Sequence, residues 1–177
     1  MARQVMDRLL LVAMSGLPGV GKSALSRRIA RELELSLFEI DRIEAPLLQR
    51  GISGDAIGWG GYEILTALAA DNLELGRSVL LDSVCWTRQI RQRWLGLATT
   101  YQAAYRPIEV ICSDDNLHRR RVELRDRSGD GLPEVDWSRV EEARLRYEAW
   151  DMPHLRLDSV GSLEALVSEA IAYVRGD

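Results

Sequence analysis

Lysine is almost missing from this 177-residue chain: of 23 basic side chains one, Lys22, is a lysine and the others are arginine. Any chemistry that needs a lysine, as Schiff base or general base, can therefore come only from position 22. Cysteine and histidine are scarce as well. Cys85, Cys112, His118 and His154 stand apart without metal-ligand spacing, which excludes a structural zinc site and leaves the cysteines as small buried hydrophobes near strand ends. Long apolar runs are also lacking. The five residues Leu9–Ala13 are too few for a signal sequence or a membrane span, so a cytoplasmic protein is expected. A net charge of −4 gives no basic footprint for wrapping duplex nucleic acid, which disfavours a nucleic-acid partner while leaving local arginine clusters able to meet phosphates.

What is present is an ordinary globular composition, 46% hydrophobic and 28% charged, at a length that suits one domain over residues 1–177. The stretch that organises it is Gly16-x-x-x-x-Gly21-Lys22-Ser23. Before it runs the apolar segment 9–13, and after it the apolar residues Leu25, Ile29, Ala30 and Leu33 recur at helical spacing. Strand, loop and helix are the context a phosphate-binding loop requires. Gly16, Leu17, Pro18, Gly19, Val20, Gly21, Lys22, Ser23 and Ala24 are expected to wrap a polyphosphate, all but Pro18 with a backbone N–H to offer it, with the positive end of the helix behind them. Lys22 is expected to reach the β- and γ-phosphates, and Ser23 to ligate Mg²⁺. With no second lysine, a guanine-reading Asn-Lys-x-Asp signature is excluded, which favours ATP as the nucleotide.

Downstream, apolar segments end in acids. Leu35–Ile40 alternates and leads to Asp41, and Ser78–Leu81 closes on Asp82, the form of a Walker B strand. Strands are also expected at 107–112 and 154–158, separated by helices over 63–75, 89–101, from 113 or 114 onward, 136–150 and 162–174. Alternation of this kind implies a parallel sheet with helices on both faces, and ligands that sit beyond the carboxyl ends of the strands. Trp59 and Tyr62, set among glycines, suit the wall of an acceptor pocket and suit core packing equally. Arg121 and Arg125, four apart, and Arg127 border a Gly/Pro/Asp segment that reads as a lid over about 119–136.

In this order of motifs the chain resembles the P-loop kinase superfamily, the nucleoside-monophosphate-kinase-like proteins. Within it the resemblance is to chloramphenicol phosphotransferase-like, zeta-toxin-like and polynucleotide 5′-hydroxyl kinase-like small kinases. The resemblance implies a three-layer α/β P-loop NTPase fold, five parallel strands in the order 2-3-1-4-5 and a small arginine-bearing lid. It implies ATP and Mg²⁺ as cofactors, Asp41 as general base, Asp82 near the metal beside Ser23, and Arg121, Arg125 and Arg127 on the nucleotide, Arg125 acting in transfer. Arg88 resembles an arginine that often recurs after the third strand. Glu44 stands where polynucleotide-kinase-like members often carry arginine, so an acceptor bearing phosphate fits poorly and a neutral or cationic alcohol fits better. The implied activity is transfer of the γ-phosphoryl group of ATP to a hydroxyl of a small molecule. A polynucleotide 5′-hydroxyl kinase and a non-catalytic ATP-binding switch are the alternatives.

Overall fold

The structure is a computed structural model that describes residues 8–125 and 132–176. Thirteen elements follow one another along the chain: β1 (Leu10–Ser15), α1 (Lys22–Glu32), β2 (Ser36–Glu39), α2 (Ile40–Gln49), α3 (Gly54–Ile57), α4 (Gly60–Glu74), β3 (Val79–Asp82), α5 (Arg88–Thr100), β4 (Ala104–Ile111), α6 (Asp115–Glu123), α7 (Trp137–Arg146), β5 (Leu155–Asp158) and α8 (Leu163–Arg175). The five strands form one sheet in the order β2-β3-β1-β4-β5, and every adjacent pair is parallel. This is the fold and strand order the resemblance implied.

Central β1 is apolar on both sides because both faces of the sheet are covered. Side chains alternate across a strand, so Val12 and Met14 join α1 and α8 in one core, with Leu25, Ile29, Val167 and Ala170. Leu11 and Ala13 join α4 and α5 in the other, with Leu65, Ala69, Ile90 and Trp94. Side-chain caps set several helix starts: Thr87 accepts from the Ile90 N–H, Asp114 from Leu117, Asp136 from Arg139 and Ser162 from Ala165. Helix α1 differs. It begins after Gly21 at φ 100° with no side chain on its first N–H groups, which leaves them open to an anion.

Three boundaries depart from the sequence reading. Strand β2 ends at Glu39, and Asp41 lies in the first turn of α2 rather than at the end of the strand. Strand β4 begins at Ala104, three residues before Pro107. Its pairing with β5 starts only at Ile108, so the missing N–H of Pro107 interrupts no ladder on that side. Helix α7 ends at Arg146 instead of near Trp150, because Tyr147 turns extended and residues 148 and 149 are held by hydrogen bonds from a buried arginine described below. The segment 119–136, read as a lid, comprises the end of α6 and the approach to α7, and its middle, Arg127 included, lies outside the described residues. Among the described residues no helix is long and apolar enough to cross a membrane.

Trp94 is the largest fully buried side chain, and its indole N–H donates to Thr66 Oγ1 at 3.1 Å. Replacing it with alanine removes that packing and orphans no charge. Trp94→Ala is expected to lower unfolding stability by about 3–5 kcal/mol, measured by urea denaturation.

Candidate functional site

The loop between β1 and α1 is held against its neighbours by glycines. Gly16 has φ 133°, and a Cβ there would lie 2.1 Å from the Val110 carbonyl oxygen of β4. Its N–H donates to Val84 O at 3.1 Å, so the loop is tied to the ends of β3 and β4 together. Gly19, at φ 83°, leaves room for Val122, which a Cβ would meet at 2.4 Å. Pro18 and Gly19 form the turn, Leu17 packs against the core that Val20 enters, and Ala24 lies in the first turn of α1. His118 of α6, buried, donates from Nε2 to Pro18 O at 2.7 Å and meets Trp137 edge-on. Burial lowers the pKa of His118, which suits a neutral ring with its proton on Nε2.

Lys22 is buried, and its ammonium group donates to Leu17 O at 2.9 Å across the mouth of the loop. Beside it a cavity of about 210 Å³ is lined by Lys22, Ser23, Glu39, Asp41, Asp82 and Arg125. The structure therefore brings together the ammonium, the loop hydroxyl, both expected carboxylates and one of the expected arginines. Asp41 lines this cavity from α2, and its carboxylate stands 3.8 Å from the Arg125 guanidinium on the opposite wall. Arg125 follows the end of α6, so the helical face expected to carry Arg121 and Arg125 together is not formed. The Arg121 fork is turned the other way, donating to Ser159 Oγ at 2.8 Å and Ser159 O at 2.9 Å in the turn before α8. Arg88 opens α5 with its guanidinium 3.9 Å from Asp151.

Asp82 is 4% exposed, and its Oδ2 has no hydrogen-bond partner. Burial raises its pKa, with Glu39 and Asp41 adding to the effect and Lys22 and a hydrogen bond to Ser23 opposing it. A buried carboxylate oxygen without a donor, beside a serine hydroxyl at a phosphate loop, could supply protein oxygens to a Mg²⁺ ion. Mg²⁺ commonly takes one or two protein oxygens and completes its shell with substrate phosphates and water. Among the described residues no group of three or more His, Cys, Asp or Glu side chains is placed to hold a metal ion.

The sequence reading missed several residues. Glu39 closes β2 and accepts from Arg27 at 2.8 Å, with Arg42 at 3.6 Å. Glu44, which the resemblance had singled out, has a contact that was not foreseen: it rests on Gly61, where a Cβ would lie 2.6 Å from Glu44 Oε1, and burial followed by repulsion from Asp41 raises its pKa. Arg91 is fully buried. It donates to the carbonyls of Cys85, Trp86, Glu148 and Ala149, and lies over the Tyr147 and Trp150 rings at 5.1 and 4.1 Å. Its place three residues before Trp94, on the apolar stripe of α5, was the one signal in the sequence. Burial pushes the Cys85 thiol up to about 12, consistent with a packing role.

A family model described as an AAA domain matches residues 11–150, most of the chain. The chain belongs to that family. Among solved structures, a sugar kinase of Janibacter sp. is similar over 93% of this chain and 94% of its own, with TM-score 0.69 and 19% identity. The APS kinase CysC of Mycobacterium tuberculosis, in complex with AMPPNP and APS, is similar over 94% and 97%, with TM-score 0.69 and 19% identity. Kti12 of Chaetomium thermophilum, in complex with ADP-AlF3, is similar over 93% and 98%, with TM-score 0.69 and 20% identity. The AAA domain of this chain thus has the P-loop kinase fold.

A raised carboxyl pKa means that the folded state holds its proton more tightly than the unfolded state. For Asp82 that contribution is fully present below the ordinary value of 3.8 and is lost as pH rises through the raised value, so at neutral pH the charge weighs against folding. Asp82→Asn is expected to raise the melting temperature of the nucleotide-free protein at pH 7. It should also shrink the further rise given by AMPPNP with Mg²⁺, both read by scanning fluorimetry.

Proposed function

We propose that the protein is an ATP-dependent phosphotransferase that moves the γ-phosphoryl group to a hydroxyl of a small molecule. The observation that carries this reading is the single cavity that Lys22, Ser23 and Asp82 share with Asp41 and Arg125. A protein that only bound ATP would have no need of a second carboxylate opposite the phosphate loop. Nucleotide binding in the similar folds of CysC, with AMPPNP, and Kti12, with ADP-AlF3, supports ATP as donor.

In the proposed reaction the acceptor hydroxyl oxygen forms a bond to the γ-phosphorus, the bond from that phosphorus to the β,γ-bridging oxygen breaks, and ADP leaves with the electron pair. Asp41 takes the hydroxyl proton. The open N–H groups of α1 and the loop amides hold the β-phosphate, and Lys22 leaves Leu17 O for the phosphate oxygens. Mg²⁺, held by Ser23 Oγ with Asp82 beside it, would neutralise charge on the β- and γ-phosphates. Arg125 swings from Asp41 to the transferring group, which adds positive charge there and frees the base in one motion. Arg121, whose guanidinium is engaged by Ser159, takes no part in this reaction. Transition states of this kind are loose, so alignment and preset charge supply most of the rate and the strength of the base little. Residues 119–136 serve as the lid.

Against a polynucleotide acceptor, Arg27 and Arg42 are both engaged by Glu39, and Glu44 adds a further acid close to Asp41. Lys22→Ala is expected to abolish ADP release with every hydroxylated compound that supports it in the wild type. Asp41→Asn should keep the AMPPNP affinity within about threefold while lowering kcat by about a hundredfold. Isothermal titration and a coupled ADP assay check both, and full turnover in the Asp41 variant would remove that residue as the base.

A further inference from the structure

Beyond Asp41 and Glu44 stands an aromatic group that the reaction described above does not use. Trp59, at the N-cap of α4, lies parallel to Trp86 within 6° at a centroid distance of 6.1 Å, and Tyr62 backs it at 5.5 Å. Tyr62 in turn packs at 6.2 Å on the buried Trp94. Rings in such a row are normally core, yet Trp59 is 45% exposed and Trp86 half-buried. A large apolar surface left open beside a cleft has a ligand as its simplest use.

Its place in the chain ties the pair to the cavity. Trp86 follows Val84, which lines the cavity, by two residues. Trp59 precedes Gly61 by two, and Gly61 has no side chain where Glu44 presses against it. Glu44 is one helical turn beyond Asp41, whose charge it feels, and it also faces Tyr62. The row therefore runs from Asp41 through Glu44 and Tyr62 to Trp59. Trp86 is fixed besides: its carbonyl accepts from Arg91 and from the Glu148 N–H at 2.9 Å. A platform held from behind costs little ordering when something lands on it.

Charge narrows the occupant. Glu39 and Asp41 line the cavity with carboxyl groups and Glu44 adds another close to Asp41, while the arginines nearby are each met by an acid of the chain: Arg27 and Arg42 by Glu39, Arg93 by Glu63, Arg125 by Asp41 and Arg88 by Asp151. Indole faces are themselves electron-rich and attract cations. An anionic acceptor would thus meet repulsion, and an acyclic polyol would leave the Trp59 face unfilled.

We infer that the acceptor is a ring-bearing alcohol without an anionic group, its flat ring on Trp59 and its hydroxyl turned to Asp41. The inference rests on the phosphotransferase reading and adds the class of acceptor. Trp59 is then the specificity-determining residue, and Glu44 the group that rejects acids.

The test is ligand-observed saturation-transfer NMR on the full chain saturated with AMPPNP and Mg²⁺. One probe set holds aryl alcohols and nucleosides, the other hydroxy acids and acyclic polyols of similar size. Signals from the ring protons of the first set are expected. Binding should weaken about tenfold in Trp59→Ala and stay within about threefold in Trp59→Phe, which keeps a ring, while Glu44→Gln should admit hydroxy acids. A thermal shift with AMPPNP is recorded first, and its absence would count against the kinase reading itself. With that shift present, silence from every ring alcohol at millimolar concentration overturns the inference. So does binding of acids or polyols to the wild type, or ring binding that Trp59→Ala leaves unchanged.

Discussion

The contact on which the rest of the site depends is the close approach of Gly16 to β4. A single β-carbon at that position would fall 2.1 Å from the Val110 carbonyl, nearer than any packing allows. Because none is there, the loop can lie flat across the ends of β3 and β4 and donate the Gly16 N–H to the Val84 carbonyl. That seating fixes where α1 begins, and so where Lys22 and Ser23 stand relative to Asp82. Stability and site geometry are inseparable here: the same strands that bury Leu11, Val12, Leu80 and Leu81 also bury the carboxylate at their edge.

Burial of Asp82 illustrates a cost that folded proteins accept at functional positions. A carboxylate oxygen without a donor in a nearly dry setting opposes folding, and a neighbouring ammonium group offsets it only in part. The opposing arrangement at Asp41 is equally informative. Its carboxylate remains accessible and meets a guanidinium from across the cavity, so the two walls attract one another when the space between them is open. A polyphosphate would compete for that guanidinium, and an alcohol for the carboxylate.

Much of this was legible in the chain itself. The glycine pattern, the apolar run before it and the helical spacing after it located the loop, because each has a local physical cause. Asp82 could be placed because a buried parallel strand reads as an uninterrupted apolar run that ends where the acid begins. Position 41 was harder: the turn into α2 starts immediately after Glu39, and nothing in a short alternating segment marks such a boundary. The relation of Arg121 to Arg125 was read wrongly since helix α6 stops between them, and helix ends depend on what the next segment packs against. Arg91 was not foreseen at all, and Glu44 was singled out by the resemblance alone, without its packing on Gly61. Their roles come from partners 57 and 17 residues away, at Glu148 and Gly61, and no local pattern carries that information.

The segment that links α6 to β5 is anchored at its two ends by cations of opposite character. Arg91 lies wholly inside, its guanidinium shared among four carbonyl oxygens and two aromatic faces. Arg125 meets Asp41 near the surface, with more than a third of each side chain in water. Added salt screens the second contact and barely reaches the first. Ionic strength thus acts as a selective lever on this protein: it loosens the front of the segment over the cavity while the rear, bolted beside Trp86, keeps its footing.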